Sequence, residues 1–214
     1  MPGDACLARR ALFFHCMPKQ STLRPLAPQD LDAVLHVQRQ CYHAGLLEDA
    51  PALAAKIAAA NRCANPTAWC AVRPHGEVLA YAIAYPLDPA RHPPRWNTAC
   101  APAPVADATH LYVHDIAVAP AARRARLAER LLARVLAQGR ALHLARAALV
   151  AVQGAQHYWR RQGFVLSANN APLLDSFGTD AQWMERANPH EPAPRAALTA
   201  LCRADSPPRR AKVL

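Results

Sequence analysis

The chain has 214 residues, 52% of them hydrophobic and 19% charged, with 20 Pro against 7 Gly; this length carries one ordinary domain whose core needs neither disulfides nor a metal. Half of the net charge of +10 sits at the ends, in Arg9, Arg10 and Lys19 against Asp4 and in Arg195, Arg203, Arg209, Arg210 and Lys212 against Glu191 and Asp205, and the basicity is almost all arginine, so charge alone marks no nucleic-acid footprint. No run approaches the roughly 20 apolar residues that cross a bilayer, and Ala11 to Phe14 is too short for the apolar stretch of a secretory leader, which excludes a membrane span and argues against export.

Residues 1–19 lack a pattern and read as a poorly structured extension, and residues 188–214, rich in Pro, Ala and Arg, read as a disordered tail. Between them residues 20–187 form one domain. Ser21 to Leu26 reads as a strand, and Pro28-Gln-Asp30 opens a helix with Leu31, Val34, Leu35, Gln38 and Tyr42 on or near one face. Pro51 to Arg62 is a second, Ala-rich helix. Ala68 to Val72 and Val78 to Tyr85 are strands joined by the turn Arg73 to Glu77. A Pro-rich loop leads to a buried strand, His110 to Val118. A helix from about Arg123 to Gln138 follows, with Leu127, Leu131 and Val135 on one side and Arg123, Arg126, Arg130 and Arg134 opposite. Leu144 to Val152 is a strand, Ala155 to Gln162 a short helix stopped by Gly163, and Phe164 to Leu166 and Gln182 to Arg186 are closing strands. The order is β-α-α-β-β-β-α-β-α-β-β, a mixed α/β chain. Seven scattered cysteines without a C-x-x-C pair point to free thiols in a reducing, cytoplasmic setting. Cys63, Cys70 and His75 fit no zinc spacing, so no metal is expected.

The stretch that carries chemistry is Leu111 to Leu132: an apolar strand, a tight connection and an amphipathic helix. A helix N-terminus presents free backbone N–H groups and a positive partial charge, which suits a pyrophosphate. Ile116-Ala-Val-x-Pro120 running into Arg123, Ala155-x-x-Tyr-Trp-Arg-Arg-Gln-Gly-Phe164, and Gly178-x-x-Ala181-x-x-Met184-x-Arg186 together resemble the GNAT superfamily of acetyl-coenzyme A dependent N-acetyltransferases. The resemblance covers residues of about 20 to 187. It implies a mixed, mostly antiparallel central sheet flanked by about four helices in a single domain, acetyl-coenzyme A as acyl donor, and a small-molecule or peptide amine as acceptor. No membrane is implied, nucleic acid is not expected, and a homodimer stays open.

By the same resemblance Ile116, Ala117 and Val118 would pair their backbone with the pantetheine arm, and Arg123, Arg124, Ala125, Arg126, Leu127 and Ala128 would form the phosphate loop. That loop reads Arg/Gln-x-x-Gly-x-Gly/Ala in the family. Arg123 and Ala128 match, whereas the central Gly position is Arg126 and a common extra Gly position is Arg124. Glycine there adopts φ angles a side chain resists, so either the arginines ligate phosphate or the site is altered or lost. His114 is the candidate general base, its imidazole being the side chain whose ordinary titration lies nearest neutrality, and its alternative is a hydrogen-bonded strand histidine. A regular strand turns Asp115 to the opposite face. The position of the family's usual acid, a tyrosine, is Trp159, whose indole is not a useful acid; Tyr158, one residue earlier, is the substitute. Glu48 and Asp49 in the loop between the first two helices would attract a cationic amine, with Tyr42 and His43 lining its pocket. The competing reading is a catalytically impaired GNAT-fold binding or scaffold protein.

Overall fold

A computed structural model describes residues 21–92, 94–99, 104–167 and 174–189. Both expected extensions, residues 1–19 and 188–214, lie outside the described residues apart from Asn188 and Pro189. The eleven elements follow in the expected order: β1 (Thr22–Pro25), α1 (Leu31–Cys41), α2 (Ala50–Asn61), β2 (Ala68–Val72), β3 (Val78–Leu87), β4 (His110–Val118), α3 (Leu127–Ala141), β5 (Arg146–Ala151), α4 (Gln156–Arg161), β6 (Val165–Leu166) and β7 (Gln182–Ala187). They build one seven-stranded sheet in the order β1-β2-β3-β4-β5-β7-β6, antiparallel throughout except for the β4–β5 pair.

Strand alternation assigns each face its partner. Tyr81, Ile83, Tyr85 and Leu87 of β3 face α1 and α2 and join a core with Val34, Val37, Leu53 and Ile57. Ala80, Ala82 and Ala84 face the other way, against Leu127, Leu131, Val135 and Leu136 of α3. Small side chains on that face let α3 lie close to the sheet. Gly139 marks the tightest point, where an added Cβ would stand 2.7 Å from Leu111 Cδ2 and 3.1 Å from Asn188 Nδ2. Alanine gains about 1 kcal/mol of helix propensity there but overpacks a buried contact at about 1–3 kcal/mol. Gly139→Ala is therefore expected to lower stability by about 1 kcal/mol in urea unfolding; a stabilised variant would show that Leu111 yields freely.

Two features of β4 differ from a regular strand and from the sequence expectation. Ile83 pairs with Asp115 while Ala84 pairs with Val113, so His114 has no partner across the ladder. This bulge re-aims the strand, and both His114 and Asp115 turn to the α1/α2 side, where they meet Glu48 and Tyr42. The expected placement of Asp115 on the opposite face is thereby corrected. Beyond Leu111–Ala147 and Tyr112–Ala148, β4 and β5 no longer pair. The second half of β4 diverges from β5 and leaves a notch between them.

The helix expected from Arg123 begins at Leu127 instead. Pro120–Ala122 form a single 3-10 turn, and Arg124 and Arg126 take φ of +70° and +54°. Left-handed residues cannot continue a right-handed helix, so Arg123 to Arg126 are a loop, and only Arg130 and Arg134 of the four arginines lie on the helix.

Candidate functional site

The notch between β4 and β5 opens into a cavity of about 210 Å³ lined by His114, Asp115 and Ile116 of β4, Leu149 and Val150 of β5, and Tyr158 and Trp159 of α4. Tyr42, Trp96 and Phe177 also line it. A second concavity of about 190 Å³ lies at the mouth of α3, lined by Val118, Arg123, Arg124, Arg126, Leu127 and Ala128. Ala128 borders both. A strand edge without a neighbour among the described residues thus leads directly to a helix N-terminus, an arrangement suited to an extended ligand with a phosphate at one end.

The loop backbone holds the conformation that glycines would give it. Arg124 and Arg126 occupy the two Gly positions, and each sits in the left-handed region that costs a side-chain-bearing residue roughly 1–2 kcal/mol. Both side chains are exposed, so the arginines have not filled the concavity. Arg123 lies against the Cys41 thiol, itself bonded to the carbonyl of Val118 at 3.3 Å; burial pushes that thiol up, and Arg123 opposes the rise.

Behind the cavity stands a group of charged side chains that no periodicity revealed. Glu48, in the loop before α2, is completely buried. Its Oε2 meets His114 Nε2 at 2.7 Å; its Oε1 accepts from Lys56 Nζ and, at 2.8 Å, from the Asn97 amide. Burial would raise the Glu48 carboxyl, but His114 and Lys56 outweigh it and hold the group at about 2. Glu48 is therefore ionised at neutral pH and already paired, which corrects the expectation that it attracts an amine. Asp49 is also engaged: its Oδ1 accepts the Ala52 N–H at 2.9 Å and caps α2. His43 is exposed and does not line the cavity, whereas Tyr42 does.

Asp115 is buried between two hydroxyls, accepting from Tyr42 and, at 2.5 Å, from Tyr81. Burial pushes its carboxyl above the ordinary range, and His114 together with these bonds pulls it part of the way back. The His114 ring is packed among Tyr85, Trp96 and Tyr112, with centroids 6.0, 5.5 and 5.9 Å away. Trp96 belongs to the Pro-rich loop, anchored by its own amide to Ser176 Oγ at 3.1 Å and through Asn97 to Glu48.

Both aromatic residues of α4 reach the cavity although they are consecutive in the helix. Trp159 packs edge-on to Phe164, 5.6 Å between centroids, and serves the core as much as the cleft. Tyr158 carries a buried hydroxyl with no partner among the described residues, and burial pushes it up to about 12. It keeps its proton at neutral pH and is a hydrogen-bond donor in search of an acceptor.

A sequence model of the Acetyltransferase (GNAT) family matches residues 31–164, more than half of the chain. No curated protein matches it in sequence. Among solved structures it is similar to a GNAT-like decarboxylase, GphF, in complex with isobutyryl-CoA (TM-score 0.60, 18% identity, covering 78% of this chain and 99% of that one). It is also similar to the PaiA N-acetyltransferase of Thermoplasma acidophilum in complex with coenzyme A (TM-score 0.58, 11% identity, 78% and 99%). A third is the ribosomal-protein-S18-alanine N-acetyltransferase of Escherichia coli (TM-score 0.54, 19% identity, 81% and 97%). At such identities these likenesses speak for the fold, and the family match covers the splayed strands, the loop and the helix just described: the chain belongs to the GNAT acetyltransferase family.

Proposed function

We propose that the protein is an N-acetyltransferase that moves an acetyl group from acetyl-coenzyme A to a primary amine of a small molecule or peptide. The observation that carries this reading is the phosphate loop, whose backbone keeps left-handed φ at Arg124 and Arg126 where the family has glycines, beside a concavity that remains open. Bound acetyl-coenzyme A supplies the thioester carbonyl to be attacked. The chain's own residues then have separate tasks. The amides from Arg123 through Ala128 and the guanidinium groups around them bind diphosphate, and the free edge of Ile116, Ala117 and Val118 pairs with the pantetheine arm. His114 takes a proton from the acceptor, and Tyr158 donates a hydrogen bond to the departing sulfur. The free thiols Cys41, Cys63 and Cys70 support a reducing, cytoplasmic setting. No helix among the described residues is long and apolar enough to cross a membrane.

Titration calorimetry with coenzyme A tests the site. Arg123→Glu is expected to weaken binding more than about tenfold, or about 1.4 kcal/mol, by placing a like charge at the diphosphate; unchanged affinity would put the ligand elsewhere. Because the loop backbone already has the glycine conformation, Arg124→Gly with Arg126→Gly removes the two side chains and their backbone strain without requiring a new loop shape. Weaker binding by that double variant is expected, and tighter binding would mean the arginines obstruct the site. An amine panel assayed for thiol release then separates enzyme from scaffold: tight coenzyme A binding without turnover on monoamines, polyamines, aminoglycosides or peptide N-termini would favour a binding protein.

A further inference from the structure

We infer that Glu48 is a positioning residue that fixes which nitrogen of His114 is free to take a proton, and that Lys56 and the Asn97 amide hold Glu48 for this purpose. The use of that proton acceptor rests on the acetyltransferase reading; the positioning itself rests on geometry alone.

An ionised carboxylate only accepts hydrogen bonds. Oε1 of Glu48 already receives Lys56 Nζ and the Asn97 N–H, which leaves Oε2 for His114 Nε2 at 2.7 Å. Nε2 must therefore carry a hydrogen, and in the neutral ring the lone pair falls to Nδ1. Nδ1 is buried without a partner among the described residues, and the ring lines the cavity between β4 and β5. The bulge in β4 turns the ring to Glu48, and Tyr85, Trp96 and Tyr112 pack around it. Of the other titratable groups facing this site, Asp115, next on β4, is bonded to Tyr42 from the end of α1 and to Tyr81 from β3, Lys56 from α2 stands behind Glu48, and Tyr158 of α4 lines the same cavity with its hydroxyl unpartnered among the described residues. The side chains of Lys56, Glu48 and His114 are at most 1% exposed. Apolar side chains would fill such a space at no loss of stability; here the charged chain instead ends on the cavity that would hold the reacting amine.

In the reaction an acceptor ammonium gives one proton to Nδ1. The nitrogen lone pair bonds to the acetyl carbon, the carbon–sulfur bond breaks with its electrons on sulfur, and the second nitrogen proton ends on that sulfur. The imidazolium releases its proton to solvent, and Glu48 stays ionised throughout.

Glu48→Gln tests this directly. Lys56 and Asn97 are donors and claim the carboxamide oxygen, so the NH₂ group faces Nε2 and drives the ring hydrogen to Nδ1, where it blocks the lone pair. The ¹⁵N shifts of the His114 ring, assigned by their loss in His114→Gln, should show Nε2–H in the wild type and Nδ1–H in Glu48→Gln. Turnover should fall by about 10² to 10⁴ with coenzyme A affinity unchanged. If burying Lys56 without its partner prevents folding, Glu48→Gln with Lys56→Met removes both charges and is read in the same way, since its amide still reaches Nε2. A wild-type ring protonated on Nδ1, or a folded variant with unaltered tautomer or turnover, would overturn the inference. Failure of the wild type to acetylate any amine while its ring shows Nε2–H would overturn the acetyltransferase reading and leave the positioning intact.

Discussion

His114→Ala is expected to lower turnover by about 10² to 10⁴, the usual share of general-base assistance, while coenzyme A binds as before. The split follows from placement. The ring lies on the α1/α2 side of β4, against Glu48 and Trp96, whereas the loop proposed to bind the diphosphate lies beyond Val118 at the mouth of α3. With the imidazole gone, reaction depends on amine that has already lost its proton in solution, so the acidic limb of the pH–rate profile moves upward towards the amine's own titration. Steady-state rates from pH 6 to 10 and calorimetry on the same variant check both halves. Equal turnover with an unshifted limb would remove His114 from the chemistry and leave Asp115, held by Tyr42 and Tyr81, or solvent as the base.

How far the residues announced this site depends on which physical signal each one carries. The eleven elements and the bounds of β4 were legible because alternation and the four-residue repeat of Leu127, Leu131 and Val135 are imposed by burial. The start of α3 was not. Arginine and alanine are good helix formers, and a left-handed backbone is advertised in sequence chiefly by glycine, which Arg124 and Arg126 replace. The bulge at His114 has no side-chain signature either, so a period of two sent Asp115 to the wrong face. Glu48 read as a loop carboxylate open to a cationic amine because the residues between α1 and α2 follow no period. The available signal was its partner: Lys56 is the one charged residue within α2, and a lysine in so apolar a helix calls for a buried carboxylate nearby. Trp96 stands among prolines in a loop, where only its size hinted that it packs; it proves to cover His114.

The same buried charges set the acid stability of the fold. Glu48 titrates near 4.5 when free and at about 2 in the folded protein, where the attraction of His114 and Lys56 exceeds the cost of burial. A group whose folded value is depressed stabilises the fold fully above its unfolded value and loses that contribution as pH falls towards its folded one. The stabilisation is on the order of 3 kcal/mol, in line with the roughly 3–5 kcal/mol lost when one partner of a buried pair is removed. Urea unfolding of the wild type should therefore weaken steadily from pH 4.5 downwards. Glu48→Gln should be less stable by about 3 kcal/mol at pH 6, with the gap narrowing as pH approaches 2. Lys56→Met alone should cost a comparable amount at pH 6, and combining it with Glu48→Gln should recover most of the loss, because two neutral side chains leave no unpaired charge in the core. A gap between wild type and Glu48→Gln that stays constant from pH 6 to pH 3 would show that the loss comes from packing and that the carboxylate is not held by its charges.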